Sequence, residues 1–304
     1  MIQLHDVDLK LLKVFDAVVR CGGFSAAQAE LNVGQSTISM QIGQLEVRLG
    51  VRLCQRGRAG FLLTEQGRAI HEATQRLFSA IENFRMEAHE QKRSVAGTLQ
   101  LRVIDNTVTD ASSPLRGAVN AFLTSGADIR INLYIGSPSE LEQRVLDGRL
   151  HVAIGHFPDP VSGLSCAGLY EEIHGLYCGR QHPLLRHARP SGITREQLKG
   201  AQVVSRGYLR RLDLNLLKVD VASSTADNVE AQAILILSNS FIGFLPRHYA
   251  APWVARGELV PLLGDDILLR SPFSSITRRA PPMPLIQRFL SVLHGMGPLT
   301  QPPP

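Results

Sequence analysis

Cysteine occupies only four positions of this 304-residue chain, tryptophan one, and aromatic residues 6% of the total. The cysteines, Cys21, Cys54, Cys166 and Cys178, stand at wide and irregular spacing, which excludes a C-x-x-C metal or redox pair and a secreted disulfide framework. They read as reduced, buried, small apolar residues, with a redox switch between Cys166 and Cys178 as the alternative. Long hydrophobic runs are missing too: residues 233–237 and 241–245 fall far short of the roughly 20 that cross a bilayer. Asp6 and Asp8 stand where a signal peptide would want a basic flank, so the expected location is the cytoplasm, with no membrane partner. Catalytic signatures are absent: there is no G-x-G-x-x-G, Walker motif, H-E-x-x-H or G-x-S-x-G. His151 and His156, five apart at what reads as a strand end, share no metal-binding face. The expectation is no catalytic residue, no metal and no cofactor.

What is present fits a soluble globular chain of two or three domains, 44% hydrophobic and 19% charged. A net charge of +5 permits a polyanionic partner without demanding one. The charge is local. Residues 1–93 hold 12 Lys and Arg against 10 Asp and Glu, yet from Arg48 to Arg68 there are five arginines and one acid, Glu65.

Apolar spacing at Leu9, Leu12, Phe15 and Val19 predicts a first helix, residues 24–31 a short second, and Ile38, Ile42, Leu45 and Leu49 a third. The short helix carries Ala26, Ala27 and Ala29 and leads through Asn32-Val33-Gly34 into the third, which is helix-turn-helix spacing. A Gly-rich stretch at 57–60 followed by Phe61, Leu62 and Leu63 reads as a tight hairpin, and Thr64 with Glu65 as the capped start of another helix. That helix has no proline to residue 92. Its seam of Ile70, Ala73, Leu77, Ile81, Phe84 and Ala88 predicts a rod of roughly 42 Å that wants a partner helix, the alternative being a helix packed on its own chain's core.

The outward face of the third helix offers Gln35, Ser36, Thr37, Ser39, Met40, Gln41 and Gln44, short or amide-bearing side chains without negative charge. Glutamine matches an adenine edge and hydroxyls bond phosphates, so this face suits a major groove. Arg48, Arg52, Arg56 and Arg58 cluster around the hairpin, where they can neutralise phosphates and probe a minor groove. The competing reading is a solvated surface helix with a loose basic loop.

From residue 99 the pattern becomes α/β. Strands are predicted at 99–104, 129–135 and 150–154, with helices near 114–123 and 139–146. A second set follows with strands at 173–178, 202–205, 219–222 and 241–245 and helices at 227–237 and 284–294. Residues 298–304 are proline-rich and read as frayed. Two lobes fit the length, and ligands of such folds bind in the cleft at the carboxyl ends of strands. That rule nominates Asp105, Asn106, Thr107, Ser137 and His156 from one lobe and Ser205, Arg206, Tyr208, Thr225 and Asn228 from the other. Helix N-termini there suit an anion, and Asp105 an amine or hydroxyl. Each has a structural alternative: Ser137 and Thr225 as helix caps, Asp105 and Arg206 paired within the fold.

Phe24-Ser25 to Leu31, Gln35 to Ile42, Leu45-Glu46, Leu49-Gly50-Val51-Arg52-Leu53, Arg56 and Leu63-Thr64-Glu65-x-Gly67 resemble the N-terminal signature of the LysR-type transcriptional regulators. Glu140-Leu141, Leu146-Asp147-Gly148-x-Leu150-x-Val152-Ala153-Ile154, His182-Pro183-Leu184 and Ile242-Gly243-x-Leu245-Pro246 are similar to that family's effector domain in order and spacing. The resemblance covers the whole chain. It implies an α/β protein with an N-terminal all-α winged helix-turn-helix at 1–64 and a long dimerising linker helix at 65–93. A two-lobed, periplasmic-binding-protein-like effector domain would follow at 94–304, with lobe I near 97–160 and 270–297 and lobe II near 165–268. It further implies a homodimer through the linker, a homotetramer, double-stranded promoter DNA, a small-molecule effector, and RNA polymerase as a further partner. By position, Gln35, Ser36, Ser39 and Met40 correspond to the family's base- and backbone-contacting residues, Ser25 and Thr37 to phosphate contacts, and Arg56 and Arg58 to the wing. The chain departs from the pattern at Ser36, usually proline, at Met40, usually arginine or lysine, and at Gln28, usually alanine. The readings from other classes are a cytoplasmic solute-binding module or an enzyme on the two-lobe fold, and a redox-sensing regulator using Cys166 and Cys178.

Overall fold

The computed structural model describes residues 5–57, 60–90, 97–124, 128–186, 193–209, 211–279 and 282–296. Two compact units divide the chain, 1–85 and 86–304.

The first unit begins with helices α1 (Asp6–Arg20), α2 (Ala27–Leu31) and α3 (Gln35–Leu49). Their apolar stripes meet in one core of Leu11, Leu12, Phe15, Val18, Ala27, Ile38, Ile42 and Leu45, each large side chain stabilising the fold by about 1.5–3 kcal/mol. Gly50 ends α3 at φ 68°, a left-handed conformation that favours glycine. Strands β1 (Cys54–Gly57) and β2 (Gly60–Leu63) then form the expected hairpin, with Gly57 opposite Gly60. Thr64 Oγ1 accepts from Gly67 N at 2.8 Å and starts α4 (Glu65–Glu90).

The seam on α4 differs from the sequence reading. Thr74 is buried and Phe78 packs on the unit's own core with Ile70 and Leu77, whereas Ala73 is exposed. The first half of the helix therefore spends its apolar face on its own chain, and Phe84, 69% exposed, lies beyond that core.

The second unit follows with β3 (Gly97–Val103), α5 (Leu115–Leu123), β4 (Ile129–Ile135), α6 (Pro138–Leu146), β5 (Val152–His156), β6 (Leu164–Gly179), α7 (Pro183–Arg186), β7 (Val204–Arg206), α8 (Leu212–Leu217), β8 (Ser224–Ala226), α9 (Val229–Leu237), β9 (Ile242–Pro246), α10 (Arg247–Ala255), β10 (Leu259–Leu262), β11 (Leu268–Arg278) and α11 (Pro284–Gly295). Strands β4, β3 and β5 run parallel, β11 lies antiparallel between β5 and β6, and β9 and β10 flank the far half of β6; β7 and β8 form a separate parallel pair. One apolar core lies around β3, β5, α5, α6 and α11. Two more surround β6, β9 and α9. Strands β6 and β11 run through both halves, and their register shifts between Phe273 and Ser274.

The strand expected at 219–222 is not formed. Lys218 turns left-handed at φ 56°, Val221 is 76% exposed, and the partner of β7 is 224–226 instead. The apolar alternation there marks a turn resting on the core, because no neighbouring strand offers it a ladder. Helix α10 was not foreseen, since Pro252 inside it removes one helical N–H and disguises the pattern. The proposed Cys166–Cys178 switch is contradicted. Both residues lie on β6, twelve positions apart, so roughly 40 Å of strand separates two Cα atoms that a disulfide needs within about 7 Å. Burial moreover pushes the Cys178 thiol up to about 12.

Candidate DNA-contacting surface and effector cavity

On α3, Gln35, Ser36 and Met40 are exposed, while Thr37, Ser39 and Gln41 are half-buried. No acid stands in the first turn. Ser25 is exposed just before α2. Thus the uncharged surface expected to meet a duplex is real as a surface, and its base is held by the Ile38, Ile42 and Leu45 stripe.

The arginines around it are not equivalent. Arg48 pairs with Asp8 on α1 through two hydrogen bonds, one at 2.8 Å, and this holds the Asp8 carboxyl down at about 2. It ties α1 to α3, so the expectation that Arg48 neutralises phosphate is corrected: its charge is already used. Arg52 is exposed beside β1. Arg56 lies on β1, its side chain outside the described residues, as is the whole of Arg58. Glu46 was missed by sequence reading. Its Oε1 accepts from the backbone of Leu53 at 2.7 Å and of Cys54 at 3.2 Å, fixing the hairpin to α3.

In the second unit a cavity of about 800 Å³ opens between the two halves. Ser137, His156, Tyr208 and Thr225 line it, as expected from the strand-end rule. Glu142 and Asp227, which the rule did not nominate, line it too. Glu142 stands one turn into α6 and Asp227 just ahead of α9, places that a search of helix first turns would have reached. Ser137 precedes α6 without capping it, and Ser137, Pro138 and Ser139 at that helix start line the cavity. The His156 ring is buried, its Nδ1 3.0 Å from the Pro272 carbonyl oxygen, to which it donates.

The remaining nominees are placed elsewhere. Asn228 caps α9, accepting from Ala231 N at 2.7 Å. Asp105, at the end of β3, accepts from Val229 N at 2.7 Å, so it bridges the halves; burial pushes its carboxyl up. Asn106 is left-handed at φ 71°, and Thr107 and Ser205 are buried. Arg206, 2% exposed, belongs to a buried polar chain that sequence reading did not find. Its guanidinium donates to Tyr208 Oη at 2.6 Å and to His174 Nδ1 at 3.0 Å. Because arginine only donates, His174 carries its proton on Nε2, which lies 2.7 Å from Glu172 Oε2. Glu172 Oε1 meets His248 Nε2 at 3.0 Å, and His248 Nδ1 meets Thr109 Oγ1 at 2.8 Å. Burial pushes His174 down to about 4. Burial also acts to raise Glu172, but the hydrogen bonds from His174 and His248 outweigh it and hold the carboxyl at about 2. The spacing of Glu172 and His174, two apart on one strand face, was the available signal.

The model of the "LysR substrate binding domain" family matches residues 92–297, and that of "Bacterial regulatory helix-turn-helix protein, lysR family" matches 9–68. HTH-type transcriptional activator BauR of Pseudomonas aeruginosa is 40% identical over 293 residues, covering 96% of each chain. HTH-type transcriptional regulator YtlI of Bacillus subtilis is 29% identical over 178 residues, 59% of this chain and 56% of that one. Among solved structures, CbnR, a LysR family transcriptional regulator, aligns with a TM-score of 0.66 at 20% identity over 94% of this chain and 97% of its own. Full-length CbnR complexed with its target DNA aligns at 0.65 and 22% identity, over 94% and 98%. At those identities the likeness speaks for the fold.

Proposed function

Since the chain belongs to the LysR family of bacterial helix-turn-helix regulators, we propose that it acts in the cytoplasm on promoter DNA and answers a small molecule held in the second unit's cavity. Two copies joined through α4 would place two α3 helices in successive major grooves of a partly palindromic site, and pairs of dimers would form a tetramer. The observation that carries this reading is the exposed, acid-free face of α3 with Gln35, Ser36 and Met40.

In this reading Gln35, Ser36, Ser39 and Met40 meet bases and backbone, Ser25 and Thr37 meet phosphates, and Arg56 and Arg58 reach from the wing. The effector touches Ser137, His156, Tyr208 and Thr225 with Glu142 and Asp227, so it presents donors to the carboxylates and an acceptor to the start of α6. Its binding shifts the population of lobe angles, and the tetramer passes that change to the DNA-binding pairs. Among the described residues no helix is long and apolar enough to cross a membrane. The test is a footprint on the region upstream of the chain's own gene. A protected site is expected, and Gln35→Ala should alter which sequences are protected; no preference for any duplex over heparin would end the reading.

A further inference from the structure

Gln28 stands on α2 where the family pattern has a small alanine, and its carboxamide is not idle. Its Oε1 accepts from the backbone N–H of Gln35 at 3.2 Å, and its Nε2 donates to the Ser25 carbonyl at 3.2 Å and lies 3.4 Å from Ser25 Oγ. The orientation of the amide is determined by its neighbours. The Gln35 N–H can only donate and the Ser25 carbonyl can only accept, so the oxygen must face α3 and the nitrogen must face Ser25.

Two consequences follow from this strap. Gly34, the residue ahead of α3, has no side chain to cap the helix and makes no cap bond; Gln28 supplies the missing acceptor from the preceding helix. At the other end, Ser25 Oγ receives a hydrogen bond from Nε2, so its own proton is left to point outward as a donor. Both residues touched by Gln28 are exposed. They are also the two that begin the surface assigned to DNA, one for phosphate and one for a base edge.

We propose that Gln28 is a positioning residue of the DNA-contacting surface, presenting Ser25 as a hydroxyl donor to a phosphate and holding the backbone of Gln35 so that its side chain meets one base pair in one register. This rests on the reading that the α2–α3 face lies against a duplex. An alanine here would leave the Gln35 N–H open to a phosphate, so the strap exchanges a sequence-blind contact for a fixed geometry.

The experiment uses the full chain and a duplex enriched from a random pool by the unaltered protein, together with single-base-pair variants of that duplex. Gln28→Met keeps the length of the side chain and removes its hydrogen bonds. It should weaken binding to the selected duplex by roughly three- to tenfold, the worth of one or two hydrogen bonds, and relax the preference at the base pair to which Gln35→Ala is also sensitive. Since Gln28 acts through Ser25 and Gln35 together, adding Gln28→Met to a Ser25→Ala, Gln35→Ala variant should cause no further loss. The slope of affinity against salt should not change, because no charge is lost. Gln28→Ala, measured beside it with the thermal transition of each variant, keeps the test open if the methionine disturbs the fold; the same non-additivity is expected. Wild-type affinity in both Gln28 variants, or an undiminished loss on adding Gln28→Met to Ser25→Ala and Gln35→Ala together, would overturn the proposal. Failure of the unaltered protein to enrich any duplex would instead remove the DNA reading beneath it.

Discussion

Gly67 has no room for a side chain, because a Cβ placed there would lie 1.8 Å from the carbonyl oxygen of Leu53. The first turn of α4 is thereby pressed against the strand end that begins the wing. Gly67→Ala must push backbone against backbone, and overpacking of this kind costs about 1–3 kcal/mol; urea unfolding followed by the helical signal should show that loss. Met40 gives a second test at this scale. It is 57% exposed on α3 and stands where the family pattern carries a cation, so Met40→Arg should tighten binding to every duplex and steepen the log affinity against log salt slope by about 0.9. Fluorescence anisotropy at several salt concentrations measures both, and an unchanged slope would mean that residue 40 faces away from the phosphates.

Among the elements, the strands of the second unit and their approaches carry groups whose protonation is coupled to folding. His151, its Nδ1 accepting from Gln100 N at 3.0 Å, and His174 on β6 are both buried and held down to about 4 against an ordinary 6.5. Each is neutral in the folded protein and becomes charged in the unfolded chain as pH falls below 6.5. Their contribution is therefore fully present above that pH and is lost on acidification toward 4. Glu172, held at about 2 against 4.5, adds stability above its ordinary value and loses it only as pH falls further. We expect Tm to drop by roughly 5–10 °C between pH 6.5 and 4. His151→Asn, whose Oδ1 can accept in place of Nδ1, should flatten that decline in calorimetry; an identical profile would place the titration elsewhere. Along α4 the division of labour is equally physical. Ile70, Leu77 and Phe78 are drawn into the unit's own core, which leaves Phe84 exposed beyond it.

For the whole molecule, that division makes the second half of α4 the place to test the proposed dimer. Phe84→Glu replaces 69%-exposed apolar surface with a charge that a paired helix would have to bury. The dimer dissociation constant should rise by at least about tenfold, given 1.5–3 kcal/mol for burying a phenylalanine, as sedimentation at several concentrations would show. An unchanged association state would move the dimer interface away from this seam. In the second unit, Asp105 accepts from Val229 N and Thr109 meets His248, so the two halves are joined by polar contacts as well as by β6 and β11. The cavity lies between those halves, and a ligand held there would change lobe angle only by competing with such contacts.

Local periodicity was enough to reveal the helix-turn-helix, the hairpin, the parallel strands at 129–135 and their neighbours, and the uncharged face of α3, because those features repeat at 3.6 or 2 residues along the chain itself. It could also rank strand ends as cavity candidates, and Ser137, His156, Tyr208 and Thr225 do converge. What the chain order could not decide was which polar groups are already spoken for. Arg48 is used by Asp8, 40 residues away, Asn228 by its own helix, and Arg206 by His174. Those assignments depend on which distant donors and acceptors burial brings within about 3 Å, and no spacing in the sequence encodes that distance.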